Sequence, residues 1–263
     1  MTRAAARSDQ AAGIAPRDLV GGLEKGLAVI TAFDQGRPRL TISEVAELCG
    51  ISRAAARRYL LTLQHLGYVR GDRQLYALTA KVLRLGQSYM QSSVLPRIVE
   101  PELHRLAHGL QEASSAGVLD GDDVICIAAT TAGRVVSRTL QPGTRVPAWC
   151  TANGRVLVAA LAPDDAAAWI ERQRFERLTP HTVRDVAALM AAIDQVREQG
   201  WAAVDQELEI GLRTLSVPLA GRSGGVRAAI NVSVSADRFT LAQLIERCLP
   251  PLRQAQKALR PLL

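Results

Sequence analysis

Hydrophobic positions in the first third of the chain recur mostly at helical spacing. Leu23, Leu27, Ile30 and Phe33 lie three or four positions apart, which predicts an amphipathic helix that ends before the turn at 35–38. Residues 1–18 show no such period, and we interpret them as a flexible arm. The pattern therefore places the first packed element just after residue 18.

The next stretch, 40–69, has the pattern of a helix-turn-helix. Thr41 and Glu44 have the spacing of a capping box, so a short helix is expected to begin at Thr41. Gly50 fits the left-handed position after that helix, and Ser52 fits the N-cap of a longer one. One side of the longer helix is apolar and consists of Ala56, Leu60, Leu63 and Leu66.

The start of the longer helix carries residues suited to DNA. Small side chains there let a helix enter the major groove, which is about 12 Å wide, and Arg donates paired hydrogen bonds to guanine or binds phosphate. An ordinary helical hairpin with a solvated basic face is the alternative. We predict a DNA-binding surface made of Thr41, Ser52, Arg53, Ala54, Arg57, Arg58 and Arg73.

After Gly67 the apolar positions alternate, which predicts a β-hairpin with a polar tip at 71–74. A hairpin directly after the second helix makes the domain a winged helix. Arg73 at the tip either reaches the DNA or is simply solvated. Thr79 then predicts a helix to about Ser93 with Val82, Leu85 and Tyr89 on one face, for which we favour a dimer contact.

The remaining two thirds of the chain alternate between short β-like runs and helical patterns. The predicted strands are 115–119, 124–130, 135–140, 201–205, 213–219 and 226–235. The predicted helices begin near Pro96, at 151, 163 and 185, and at Thr240. Pro250 and Pro251 are expected to interrupt or kink the last of these helices. Helices flanking an antiparallel sheet predict an α+β domain.

Charge separates the two parts of the chain. Residues 1–93 hold 13 Lys/Arg and 7 Asp/Glu, a net of +6, whereas residues 94–263 hold 19 and 18, a net of +1. A basic domain joined to a near-neutral one indicates a polyanionic partner for the first, above all nucleic acid. No apolar run approaches the roughly 20 residues of a membrane helix, and the four cysteines form no C-x-x-C pair. We expect a reduced, cytoplasmic protein without a membrane partner.

Four blocks of the chain, together with the helix-turn-helix, resemble the IclR-type transcriptional regulators. They read LEKGLAVITAF (23–33), PGTRVPAWCTANGRVLVAAL (142–161), GWAAVDQELEIGLRTLSVPL (200–219) and AAINVSVSADRFT (228–240). The last two are most similar to the branch that controls aromatic-acid breakdown through the β-ketoadipate pathway, the protocatechuate and 4-hydroxybenzoate regulators.

The resemblance implies an α+β chain with an N-terminal winged helix-turn-helix, a linker helix and a C-terminal GAF-like domain with a six-stranded antiparallel sheet. The implied boundaries are an arm at 1–18, a DNA-binding domain at 19–78, a linker helix at 79–96 and an effector domain at 97–263. It also implies a double-stranded DNA operator, a small organic acid effector, aromatic or dicarboxylic, and homodimers that can pair into tetramers.

Carried over by position, the resemblance implies an effector pocket lined by Trp149, Ala152, Asn153, Asp205, Leu212, Thr214, Asn231 and Ser233. The alternative for Trp149 is a place in the core, and the alternative for Asp205 and Glu207 is a solvated loop. Ala152 and Asn153 follow the N-cap Thr151, and the N-terminus of a helix suits a carboxylate. Arg138 stands where the family has an apolar residue. It either pairs with a ligand carboxylate or points away from the pocket.

Two other classes of function stay open from the residues alone. Cys150 and His181 offer a nucleophile and a base, although neither lies in a recognisable nucleophile motif. His104 and His108 lie four apart on one predicted helix, a spacing that metal ligands use, but the H-E-x-x-H signature is absent. We therefore expect a regulator that is no enzyme and needs no cofactor.

Overall fold

The structure is a computed structural model that describes residues 14–34, 36–72, 74–131, 140–222 and 224–263. Two units are distinguished, Met1–Gln91 and Ser92–Leu263. Each has its own hydrophobic interior.

Short helices and a β-hairpin build the first unit. Its helices are α1 (Gly21–Thr31), α2 (Ile42–Leu48), α3 (Arg53–His65) and α4 (Leu83–Ser92), and its strands are β1 (Val69–Gly71) and β2 (Tyr76–Leu78). Short 3-10 turns occur at Pro16–Asp18 and Ala80–Val82. The hairpin is antiparallel, with Val69 opposite Leu78, and Leu40 adds a bridge to Tyr76.

Local sequence signals set the helix ends of this unit. Thr41 and Glu44 form the expected capping box: the Glu44 N–H donates to Thr41 Oγ1 at 3.3 Å, and the Thr41 N–H donates to Glu44 Oε2 at 2.7 Å. Gly50 has φ +63°, as the turn requires, and Ser52 Oγ accepts the Ala55 N–H at 3.2 Å. The helix-turn-helix geometry is therefore encoded locally.

The apolar faces of α1 and α4 are largely exposed, and for α4 this agrees with a face left for a second subunit. Only Val29 of α1 is buried, while Leu23 is 64% exposed and Leu27 also faces solvent. Helix α4 has no buried residue, and its Leu83 is 74% exposed. Leu66 was expected on the buried side of α3, but it lies at the C-cap and is exposed.

The second unit is a sheet with helices on both faces. Its strands are β3 (Ala113–Asp120), β4 (Asp123–Thr130), β5 (Arg145–Pro147), β6 (Ala202–Asp205), β7 (Leu212–Ala220) and β8 (Val226–Ser235). Its helices are α5 (Val94–Leu110), α6 (Ala152–Ala159), α7 (Pro163–Glu171), α8 (Val186–Gln199) and α9 (Leu241–Leu259). The strand order is β5-β4-β3-β8-β7-β6, and every pairing is antiparallel. The expected α+β fold is confirmed.

Two layers of side chains cover the sheet. Helices α5 and α9 pack on one face, with Leu103, Leu215, Ile230 and Leu252 among the buried residues. Helix α6 packs on the other face and carries α8 on its outer side. Because α5 and α9 lie at the two ends of this unit and α6 to α8 follow the first three strands, helices cover both faces of the sheet.

Two sequence expectations for this unit need comment. The predicted strand 135–140 falls almost entirely outside the described residues, and Leu140, which is described, belongs to no strand. The sixth observed strand is β5, whose three residues were too few to give a period. Helix α9 is not interrupted at Pro250 and Pro251, because its apolar face stays buried on both sides of the prolines.

Across the described ranges, no helix combines the length and the hydropathy needed to cross a membrane.

Candidate DNA-binding surface and effector cavity

The first two turns of α3 form an exposed basic surface. Ser52, Arg53, Ala54, Arg57 and Arg58 are all exposed, and the described part of the chain offers none of the three arginines an ion-pair partner. Their guanidinium groups are available to phosphates or base edges.

These arginines lie at the end of α3 where they stabilise the helix least. The N-terminus of a helix carries partial positive charge, and α3 has no acidic residue in its first turn to offset it. A local arrangement that disfavours the helix is typical of a position kept for binding. The first two turns of α3 are therefore the candidate DNA-binding surface.

The other two predicted DNA contacts, Thr41 and Arg73, do not belong to the exposed surface of α3. Thr41 caps α2, where its hydroxyl donates to Glu44 at 2.8 Å. Arg73 lies outside the described residues. The neighbouring Asp72 accepts the backbone N–H groups of Leu75 and Gln74 at 3.1 Å each, and these hydrogen bonds hold the pKa of its carboxyl below the ordinary range. Asp72 thereby shapes the tip of the hairpin.

The second unit contains a cavity between the sheet and α6 with an empty volume of about 650 Å³, its mouth included. Most of its wall is apolar and consists of Ala116, Val124, Cys126, Leu140, Val146, Cys150, Val204, Leu208 and Leu212. Its polar members are Ser115, Thr151, Asn153, Glu207, Thr214, Asn231 and Ser233.

The first residues of α6, Ala152 and Asn153, line this space. Thr151 Oγ1 accepts the Gly154 N–H at 3.2 Å, and the Arg155 N–H bonds the Thr151 carbonyl. The N–H groups of Ala152 and Asn153 have no partner among the described residues, although both residues are buried. Two unpaired donors at the positive end of a helix dipole can bind a carboxylate.

Two glycines, Gly154 in α6 and Gly117 in β3, allow the first turn of α6 to lie close to the sheet and to Ala148. A Cβ on Gly154 would lie 2.0 Å from the Ala148 carbonyl oxygen, and one on Gly117 would lie 2.4 Å from Val124 Cγ1. The first turn of α6 can pack this tightly only because both side chains are hydrogen atoms.

Buried hydrogen bonds connect polar side chains at the cavity floor, and one of them joins the sheet to α6. Ser115, Asn153, Ser216 and Asn231 are all buried. Ser216 Oγ lies 2.6 Å from Asn153 Oδ1, and Asn231 Oδ1 accepts from Ser115 N and Oγ at 3.1 and 2.6 Å. A polar floor under apolar walls suits a ligand with both an aromatic body and polar groups.

One charged pair belongs to the wall. Glu207 accepts from Arg155 Nη2 at 2.7 Å and from the Val183 N–H at 3.1 Å. Thr179 and Thr182 hydroxyls donate to the Gln206 and Glu207 carbonyls, each at 2.7 Å. The Glu207 charge is therefore compensated within the protein.

Six of the eight residues predicted for the pocket line this cavity: Ala152, Asn153, Leu212, Thr214, Asn231 and Ser233. Trp149 does not, because it packs in the core edge-on to Phe175 with ring centroids 5.5 Å apart. Asp205 does not either. It follows the cavity-lining Val204 on a strand, so its side chain lies on the opposite face, where it bonds Arg213 at 2.7 Å. Arg138 lies outside the described residues.

Sequence reasoning considered Glu207 only as part of a solvated loop and did not single out Ser115, yet both line the cavity. Gln206 has φ +57°, which breaks the alternation of the strand and turns Glu207 inward. The residue pattern does not predict the left-handed backbone conformation of Gln206. Ser115 could have been found, because it pairs with Asn231 in the β3–β8 register and therefore faces the same side of the sheet. That inference requires the register of the two strands, which the sequence does not display.

The thiols and imidazoles fit neither alternative function. Burial raises the pKa of Cys150 to about 12 and that of Cys126 to about 11, so both thiols stay protonated and unreactive. His181 is exposed, whereas Cys150 is buried. His104 Nδ1 lies 3.0 Å from Thr130 Oγ1, and the described residues contain no group of three side chains that could hold a metal ion.

Known protein families match both the N-terminal and the C-terminal part of the chain. Residues 22–73 match the IclR helix-turn-helix domain, and residues 87–260 match the bacterial transcriptional regulator IclR C-terminal domain. The chain is 42% identical to the Pca regulon regulatory protein of Pseudomonas putida, over 92% of this chain and 84% of that protein.

Solved structures show the same likeness. A Rhodococcus sp. RHA1 protein superimposes with a TM-score of 0.78 and 41% identity, over 92% of this chain and 97% of that one. The inducer-binding domain of a double mutant of the transcription factor PobR from Acinetobacter, in complex with 3-hydroxybenzoic acid, superimposes with a TM-score of 0.61 and 30% identity, over 65% of this chain and all of that one.

The family models cover both units of the chain, and the resemblance seen in its sequence blocks is confirmed. The chain belongs to the IclR family, so it is a DNA-binding transcriptional regulator with an effector domain and not an enzyme.

Proposed function

We propose that the regulator responds to a small aromatic carboxylic acid, bound in the cavity between the sheet and α6. The observation that carries this proposal is the unpaired N–H pair of Ala152 and Asn153 at the edge of an apolar space. The carboxylate would lie against these donors, and the ring would lie among Val124, Val204 and Leu212. Asn153, Thr214, Asn231 and Ser233 would contact its polar groups.

Charge favours one carboxylate over two. None of the described residues that line the cavity is Lys, Arg or His, and Glu207 is already paired with Arg155. One helix N-terminus compensates about half an elementary charge, so a second carboxylate would lie in the cavity without a counter-charge. A relative's inducer-binding domain holds 3-hydroxybenzoic acid, an aromatic monocarboxylate.

A thermal-shift screen tests this assignment. The ligands are 4-hydroxybenzoate, protocatechuate and β-ketoadipate, with acetate as a matched small carboxylate. A ligand that binds only the folded protein raises Tm, by an amount equivalent to about 2.7 kcal/mol at 100 times its Kd. We expect a shift with at least one of the aromatic acids. A shift with β-ketoadipate alone would contradict the aromatic class.

On the DNA side, we propose that Arg53, Arg57 and Arg58 contact an operator from the major groove, with Ser52 and Ala54 against the bases or backbone and Thr41 and Arg73 on the phosphates. The exposed first turns of α3 support this assignment. We also propose that the DNA-binding domain spans residues 19–78, followed by a linker helix to residue 96. A regulator that binds DNA would act in the cytoplasm.

We further propose that the protein is a homodimer, with pairing of dimers into tetramers, and that exposed apolar residues of the first unit mediate the contact. Leu23 and Leu27 of α1 and Leu83 and Leu85 of α4 are exposed. Exposed large apolar side chains on a helix are candidates for an interface. Light scattering on the Leu83→Glu/Leu85→Glu variant should show a smaller particle than the wild type. An unchanged mass would place the dimer contact elsewhere.

A further inference from the structure

Asn231 lies between two serine hydroxyls on the cavity floor, and its side-chain amide assigns each of them one hydrogen-bonding role. The backbone N–H of Ser115 donates to one amide atom of Asn231 at 3.1 Å. A backbone N–H only donates, so this atom is the oxygen, Oδ1, and the other is Nδ2. The orientation of the amide is therefore fixed by a partner of unambiguous chemistry.

The two hydroxyls take opposite roles as a consequence. Ser115 Oγ lies 2.6 Å from Asn231 Oδ1 and must donate its proton there, because an amide oxygen only accepts. Ser233 Oγ lies 3.2 Å from Asn231 Nδ2, which only donates, so Ser233 accepts this bond and keeps its own proton. Ser115 thus offers a lone pair to a ligand, whereas Ser233 offers an O–H.

Both serines line the cavity, so a ligand there meets an acceptor and a donor bonded to the same amide. A hydroxyl group is complementary to this arrangement, because it donates one hydrogen bond and accepts another. A carboxylate only accepts, and it would face the Ser115 lone pair with an oxygen that cannot donate.

We propose that Ser115 and Ser233 together recognise a hydroxyl group of the effector, and that Asn231 is the positioning residue that sets their opposite roles. This inference rests on the proposed aromatic-acid effector and adds a second recognition group to it. The ligand is a hydroxy acid whose carboxylate lies at the start of α6 and whose hydroxyl lies between the two serines.

Isothermal titration of the full chain with benzoate, 3-hydroxybenzoate, 4-hydroxybenzoate and terephthalate tests the proposal. At least one hydroxybenzoate should bind about tenfold tighter than benzoate, and more tightly than terephthalate, which has a carboxylate in place of the hydroxyl. Ser233→Ala should bring the hydroxybenzoate-to-benzoate ratio close to one. Ser235→Ala, on the same strand, should keep the wild-type ratio, because that hydroxyl bonds Asp237 and does not line the cavity.

Asn231→Asp gives a readout that structural damage cannot mimic. Both oxygens of a carboxylate accept, so both serines would donate to it and present only lone pairs to the ligand. This variant should bind the aminobenzoate that matches the preferred hydroxybenzoate more tightly than the hydroxybenzoate itself, because an aromatic amine supplies two N–H donors. The wild type should show the opposite order.

The possible outcomes distinguish failure of the hydroxyl assignment from failure of the proposed aromatic-acid effector. Absence of binding by all four acids would overturn both. Terephthalate as the tightest ligand, or a hydroxyl preference that survives Ser233→Ala, would overturn the hydroxyl assignment and leave the aromatic-acid effector standing. If Asn231→Asp does not fold, Ser233→Ala decides alone.

Discussion

The Arg155 guanidinium contacts the Glu207 carboxylate at 2.7 Å, and the two side chains are only 8% and 11% exposed. The pair joins α6 to the loop between β6 and β7, and Glu207 also accepts the Val183 N–H. Three segments of the chain therefore meet at one carboxylate, which itself lines the cavity. Since removal of one partner leaves a buried charge unpaired, this contact is the most sensitive point of the wall.

Glu207→Gln should destabilise the protein by about 3 kcal/mol, because it keeps the shape of the side chain but leaves the buried Arg155 charge without a counter-charge. Urea unfolding measures the loss. Asp120→Asn is the matched control: Asp120 pairs with Arg145 at the same 2.7 Å, but both side chains are about half exposed. That change should cost less than about 1 kcal/mol. Equal losses for the two variants would contradict the role assigned to burial.

Gly154→Ala should abolish effector binding, because the new Cβ would lie 2.0 Å from the Ala148 carbonyl oxygen and push the first turn of α6 away. Gly109→Ala is its control, since nothing lies within 4 Å of the added atom in α5. Alanine in that helix should raise stability by up to about 1 kcal/mol. Ligand-induced Tm shifts on both variants test the pair, and a normal shift for Gly154→Ala would refute the prediction.

Arg58→Ala should weaken operator binding sharply and lower the slope of log affinity against log salt by about 0.9, the value of one lost phosphate contact. Arg177→Ala removes an exposed arginine of the second unit and should leave both quantities unchanged. Gel-shift titrations at several salt concentrations supply the slopes. If the two variants behave alike, the basic surface of α3 does not bind the operator.

Thiol reactivity should divide the four cysteines. Cys49 is half-buried, whereas Cys126, Cys150 and Cys248 are buried. Burial raises their thiol pKa values, to about 12 for Cys150, so thiolates form only at strongly alkaline pH. A chromogenic disulfide reagent at pH 8 should label one thiol per chain in the folded state, and Cys49→Ser should remove that phase.

The same shifts predict an alkaline limit to stability. A raised thiol pKa contributes stability that is present below the unfolded value of 9.0 and is lost as pH rises toward the folded value, near 11 for Cys126. Tm should therefore fall above pH 9, and less steeply in Cys126→Ser. An identical slope in that variant would show that other groups dominate.

Most of the local architecture was predictable because its signals are local. Thr41, Ser52, Thr151, Asp185 and Thr240 each cap the helix that the sequence places after them. Six pocket residues followed from family position. These features depend on a few neighbouring residues, which the sequence displays directly.

The features that were missed depend on contacts distant in sequence or on unusual backbone. Glu207 faces the cavity only because Gln206 takes a left-handed conformation. Asp205 faces away because strand alternation places it opposite Val204, and α9 passes its two prolines because the sheet holds both halves. The opposite roles of Ser115 and Ser233 require the β3–β8 register, which no single strand encodes.

The central claim is that binding of a small aromatic acid in the cavity changes affinity for DNA, as linkage requires of a ligand-responsive regulator. Fluorescence anisotropy with DNA selected by the protein from a randomised pool measures it directly, with and without the hydroxybenzoate that gives the largest Tm shift. We predict a change of five-fold or more, about 1 kcal/mol, in the wild type. Thr214→Val should show unaltered DNA affinity and a smaller ligand effect. DNA affinity that is the same at saturating ligand as in its absence would contradict the account.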